Sequence, residues 1–151
     1  MRRLIPGVIV ALLLSTMGAS AQQRLHPDQS DPPGMDLLPG YQHERYVYAD
    51  GSGGRIWKTD GLDIRYEVGG WSANRVSAAN NRLWTKTRSL GRRQAQIALT
   101  EDHLLIVNIT MRDAPRRGGP GSPLPINFYA AVGGEEDIVD MLLMVLDYAR
   151  E

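Results

Sequence analysis

The sequence predicts an α+β protein, a curved antiparallel sheet of about seven strands packed on one C-terminal helix. Three observations carry this. Apolar and polar residues alternate with period two in short runs between Tyr41 and Val132, the pattern of half-buried strands. Turn formers such as Asp60-Gly61 and Gly69-Gly70 separate those runs. After Gly133-Gly134 the pattern changes to a helical period and keeps it to Arg150.

The strands follow in order. Tyr46, Val47 and Tyr48 open the first, which the cluster Asp50-Gly51-Ser52-Gly53-Gly54 is expected to end as a turn. Arg55 to Thr59 form the second, and Asp60-Gly61 is a hairpin signal. Asp63 to Val68 alternate cleanly, with Ile64, Tyr66 and Val68 on one face and Asp63, Arg65 and Glu67 on the other. Residues 71–81 lose the alternation. Ser72 is placed to cap a short helix there that Asn80-Asn81 would stop. Leu83 to Ser89 make a polar strand, and Gly91 a turn.

Ala95, Ile97 and Leu99 share a face of the next strand, which Thr100-Glu101-Asp102-His103 closes. Leu104 to Ile109 is apolar on both faces, so this strand is central and covered on both sides. Arg112 to Pro125 is a Gly/Pro-rich excursion without regular structure. Ile126, Phe128, Ala130 and Val132 face one way in the last strand.

The helix runs from about Glu135 to Arg150. Acidic Glu135, Glu136 and Asp137 in its first turn suit the positive end of the helix dipole. Ile138, Met141, Leu142, Val145 and Ala149 cluster on one side. Val139, Met144, Leu146 and Tyr148 widen that stripe beyond what one flat sheet would cover, so the helix requires a curled sheet or a second partner. Leu142 and Val145 are expected at the core, and Leu143 falls among Asp140, Asp147 and Arg150.

The chain before the domain divides in two. Arg2 and Arg3, the apolar run Ile5–Leu14 and the end Ala19-Ser20-Ala21 form an export signal over residues 1–21. The run is half the ~20 residues of a spanning helix, and no later stretch is long and apolar enough to span. Cleavage after Ala21 is expected, giving an exported periplasmic or secreted product. Residues 22–40 hold Pro27, Pro32, Pro33 and Pro39 and read as a flexible arm whose end Met35, Leu37 and Leu38 pin to the core. Residues 41–151 form a single domain.

Composition removes several chemistries. The chain holds no cysteine, so disulfides, thiolate metal ligands and a thiol nucleophile are absent. Its 17 basic and 17 acidic side chains balance, and loss of Arg2 and Arg3 leaves a slight acidic excess. A globally basic nucleic-acid binder is excluded. His26, His43 and His103 show no metal-ligand spacing. Asp50 to Gly54 lacks the further acidic positions of a calcium loop. Asp50 stands where the Ser52 elbow pattern needs Gly. Glu135, Glu136 and Asp137 would repel a phosphate after Gly133-Gly134. Asn108-Ile109-Thr110 spells a glycosylation sequon, discounted because it lies within a strand. No cofactor and no catalytic set is indicated.

Two features remain. Arg82, Trp84, Lys86 and Arg88 fall on one face of a strand, with Arg92 and Arg93 at its turn. Guanidinium groups beside an indole suit an anionic polymer, and edge-protecting charge is the plainer reading. On the helix, Met141, Leu143 and Met144 suit a protein partner or a homodimer seam. The chain therefore reads as a small exported, non-catalytic binding or envelope-associated module. The alternatives are a small periplasmic hydrolase built on His43 or His103 with carboxylates, or a polymer binder using the Arg/Trp strand.

Overall fold

The computed structural model describes residues 35–49, 51–69, 74–111 and 124–149. Seven strands form one open antiparallel sheet. They are β1 (Tyr41–Tyr48), β2 (Gly51–Lys58), β3 (Asp63–Val68), β4 (Arg82–Leu90), β5 (Arg93–Thr100), β6 (Leu104–Met111) and β7 (Ile126–Ala131). Their spatial order is β1-β2-β3-β7-β6-β5-β4. Helix α1 (Arg75–Ala78) lies between β3 and β4 in the chain, and α2 (Glu135–Tyr148) closes it. The α+β architecture and the C-terminal helix agree with the sequence. The export signal, residues 22–34, Ser72 and residues 112–123 lie outside the described residues.

The alternation in β3 sets the two faces. Ile64 and Tyr66 turn to one side and are buried. Ile56, Ile97, Leu105, Val107 and Phe128 share that side, where they pack with Met141, Met144 and Val145 of α2. Met35 and Leu37 are fully buried in the same cluster, with Leu38 packed on it. The segment before β1 thus covers part of the wide helical stripe, which answers the demand for a second partner from within the chain. Ile106 and Ala98 point to the other side, where α1 lays Val76 on them. Covered by α2 below and α1 above, β6 needs apolar residues on both faces, as its sequence indicated.

The sheet is two sequential meanders, β1–β2–β3 and β4–β5–β6–β7, joined at one seam between β3 and β7. In the seam Arg65 pairs with Tyr129, Tyr66 with Phe128, Glu67 with Asn127 and Val68 with Ile126. Both faces reinforce it. On the α2 side the rings of Tyr66, Phe128 and Tyr148 follow one another at 5.8 and 6.1 Å. On the α1 side Arg75 donates to both Glu67 carboxylate oxygens at 2.9 and 2.6 Å. Its guanidinium lies 4.3 Å over the Tyr129 ring, and its backbone N–H donates to Asn127 Oδ1 at 3.2 Å. The one-turn helix α1, capped by Asn74, is therefore a staple across the seam.

Two local expectations change. Gly51 to Gly54 were expected to form a turn, yet they belong to β2, and Tyr48 pairs directly with Gly51. Close approach explains the glycines. A Cβ at Gly54 would stand 2.5 Å from the Tyr66 ring, and one at Gly53 2.6 Å from the Tyr66 carbonyl. Glycine in a strand marks such an approach. Leu142 is only partly buried, at the edge of the core, whereas Val145 is fully buried.

Candidate functional site

The basic cluster does not stay together. β4 is an edge strand whose residues are all exposed except Leu90. A register shift between Arg82 and Trp84 divides it. Arg82 pairs with Thr100 and donates to the Val76 carbonyl of α1 at 3.2 Å. Trp84, Lys86 and Arg88 pair with Leu99, Ile97 and Ala95 and so project on the α2 side of the sheet. Arg92 is exposed in the turn with Gly91. Arg93 donates to the Tyr148 carbonyl at 2.7 Å and lies 4.4 Å over the Tyr148 ring. It closes the C-terminus of α2, where orphan carbonyls and the helix dipole favour a cation. Three of the six residues, Trp84, Lys86 and Arg88, thus share one open face.

The helix residues divide as well. Met141 and Met144 are buried in the core, while Leu143 is 57% exposed. At ~100° per residue, Val139 and Leu146 lie on the same flank as Leu143, and Val139 is 46% exposed. Together with Leu38 and Leu142 they line an apolar groove of about 510 Å³. Asp36 and Asp147 border it. The sequence wheel contained this groove in outline. It lacked Leu38, whose distance in the chain hid its place beside the helix.

Electrostatics give the groove a sign. The helix carries Glu135, Glu136, Asp137, Asp140 and Asp147 and no cation through Tyr148. Helical spacing puts Glu136, Asp140 and Asp147 in a stripe immediately beside Leu143. Among the described residues, Asp137 and Asp140 have hydrogen-bond partners. Asp137 accepts from the Gly133 N–H at 2.7 Å, securing the helix start. Asp140 accepts from the Tyr41 hydroxyl at 2.8 Å. Burial, and then that carboxylate, push the Tyr41 pKa far above its ordinary value. Neither contact brings a positive charge to the groove.

The histidines stand apart. His43 Nε2 lies 2.7 Å from the Tyr66 hydroxyl, with the two rings stacked at 5.7 Å. His103 is exposed in the turn after β5, at a φ of 60°. Among the described residues no group of three or more His, Asp or Glu is arranged to hold a metal ion. Asn108 of the sequon is 1% exposed beneath α1 and donates to Asn127 Oδ1 at 2.8 Å. Its amide is out of reach of a glycosylating enzyme in the folded protein. No helix among the described residues is long and apolar enough to cross a membrane. Compared with family models, with curated proteins and with solved structures, the chain matches none.

Proposed function

We propose that this chain is an exported, non-catalytic binding module whose α2 groove takes a cationic amphipathic helix of a partner protein. One observation carries the reading: an apolar groove of about 510 Å³ whose charged lining among the described residues is Asp36 and Asp147. Helix-in-groove recognition uses apolar anchors spaced i, i+4 and i+7, the spacing of Val139, Leu143 and Leu146. The acidic stripe would orient such a helix and reject one of the wrong charge. A second copy of this surface is a poorer occupant, because it would bring carboxylates to carboxylates. Export rests on Arg2-Arg3, the Ile5–Leu14 run and Ala19-Ser20-Ala21, and places the partner in the periplasm or outside the cell. Trp84, Lys86 and Arg88 fit the guarding of an exposed edge strand against pairing with other chains.

Two synthetic peptides test the groove, a lysine/leucine amphipathic helix and its glutamate/leucine counterpart. Calorimetry should show binding of the first, weakened at least about tenfold by Leu143→Asp. The double variant Glu136→Lys/Asp147→Lys should lose the lysine peptide and gain the glutamate one. Equal binding of the lysine peptide to wild type and Leu143→Asp would defeat the reading. Self-association of the wild type abolished by Leu143→Asp would replace it with a homodimer. N-terminal sequencing of the exported product should begin at Gln22.

A further inference from the structure

The face of the sheet opposite α2 carries a second depression, independent of the helix groove. It is a trough of about 540 Å³ at the junction of β1, β2, β3 and β7. The alternation of β2 makes its floor. Gly51 and Gly53 face Tyr48 and Tyr46 across the β1–β2 ladder, and Gly53 faces Glu67 across the next. Two positions without side chains thus lie between tyrosines on one strand and a charged strand on the other. The Tyr48 ring leans over this floor, 3.5 Å from where a Gly53 Cβ would stand. Tyr129 stands at the far wall.

The polar groups of the trough are nearly all engaged. Tyr46 donates to Glu44 at 2.8 Å. Arg55 donates to Asp63 at 2.8 Å and stacks 5.0 Å over Trp57. Glu67 receives Arg75 at 2.6 Å and the Tyr129 hydroxyl at 3.0 Å. Arg65 is the exception among its charged groups. It is exposed, and no hydrogen bond or ion pair joins it to the described residues. It also stands directly opposite Arg55 across the β2–β3 ladder. Like charges so placed destabilise a sheet, and Asp63 and Glu44 both answer Arg55.

We propose that this trough binds an acidic saccharide unit. Arg65 would take the carboxylate in its planar fork. The apolar face of the sugar ring would lie on Tyr48 and Tyr46, which line the trough beside Gly51. A bound carboxylate beside Arg65 also relieves its repulsion from Arg55. Arg65, the one cation lining the trough without a partner among the described residues, suits a monoanionic unit, and the paired tyrosines suit a ring better than an extended acidic peptide.

Three probes separate these chemistries in solution with the purified protein: tetragalacturonate, maltotetraose and tetraglutamate. Tetragalacturonate should bind and shift the ring resonances of Tyr46 and Tyr48. Maltotetraose and tetraglutamate should each bind at least about tenfold more weakly. Arg65→Gln should lower tetragalacturonate affinity about tenfold while leaving Tm unchanged or raised, because it removes a like-charge contact. Arg65→Lys should keep part of the affinity, and Tyr48→Ser should lose part of it. Absence of tetragalacturonate binding overturns the proposal. So does equal binding of tetraglutamate, which would mean charge alone, or of maltotetraose, which would mean that Arg65 is idle. A fall in Tm on Arg65→Gln with unchanged affinity would make Arg65 structural.

Discussion

β3 and β4 both show arginine on an exposed face, and the two strands use it differently. β4 is an outer strand with almost every side chain in solvent. Its Lys86 and Arg88 have open water around them, which is how charge blunts an edge. β3 lies inside the sheet, paired on both sides. Its Arg65 has Arg55 on one neighbouring strand and Tyr129 on the other. A cation in that position is a constraint on folding, whereas one on β4 is not. The number of arginines on a strand therefore says little about binding. What each arginine faces across the ladder says much more.

The sharpest way to break this comparison is through packing. Phe128 is fully buried in the seam, between the rings of Tyr66 and Tyr148. Phe128→Ala should cost ~3–5 kcal/mol, as large-to-small changes of buried aromatics do. Trp84→Ala on β4 should stay within ~0.5 kcal/mol, as for an ordinary surface change. Urea unfolding of the two variants measures both. A Trp84 cost near that of Phe128 would show β4 to be a covered strand in solution.

Next in size is Arg93 against Arg92. Arg93→Ala removes a hydrogen bond to the Tyr148 carbonyl and a ring contact. It should cost ~1–2 kcal/mol, while Arg92→Ala should be near neutral. Thermal melts of the pair distinguish a cation that holds α2 from one that decorates a turn.

The smallest effect is the acid response of the seam. The Arg75 guanidinium, and after it the Tyr129 hydroxyl, hold the Glu67 carboxyl below its usual range. A carboxylate depressed in the folded state stabilises above its unfolded pKa of ~4.3, and that contribution is lost as pH falls through the folded value. Partial exposure screens the pair, so on the order of 1 kcal/mol is at stake. The protection factors of the amides at residues 75–79, measured by hydrogen exchange and corrected for the intrinsic rate at each pH, should fall below about pH 4 in the wild type. Glu67→Gln should exchange faster already at neutral pH and lose that acid step. An unchanged profile in Glu67→Gln would mean that α1 is held by Val76, Asn127 and Arg82 without the Glu67 pair.

The fold was legible where one face is buried and the other wet. Ile64 and Tyr66 against Arg65 and Glu67 announced β3, and the apolar stripe from Ile138 to Ala149 announced α2. The glycines of β2 misled, because their reason lies in Tyr66, on another strand. Candidate sites were harder to read for the same reason. The trough takes residues from four strands, and the pairing of Arg55 with Arg65 exists only once the β2–β3 register is known. The period-two spacing of Gly51 and Gly53 opposite that of Tyr46 and Tyr48 was the one signal in the chain. Met141 and Leu143, two positions apart, point to opposite sides of the helix. Apolarity alone could not say which of them met solvent.

The single seam between the meanders also has a kinetic consequence. Every other ladder joins strands consecutive in the chain, so each closes a shorter loop than the seam does and its contacts form at lower entropic cost. The seam contact between Glu67 and Tyr129 spans 62 residues, and its loop-closure entropy is met only after the hairpins exist. The expected last event in folding is the joining of the two meanders, with Arg75 clasping them on one face and Phe128 filling the other. Seam substitutions should act mainly on the unfolding rate, and hairpin substitutions such as Ile97→Val mainly on the folding rate. The two arms of a chevron plot would show which junction yields first when the protein comes apart.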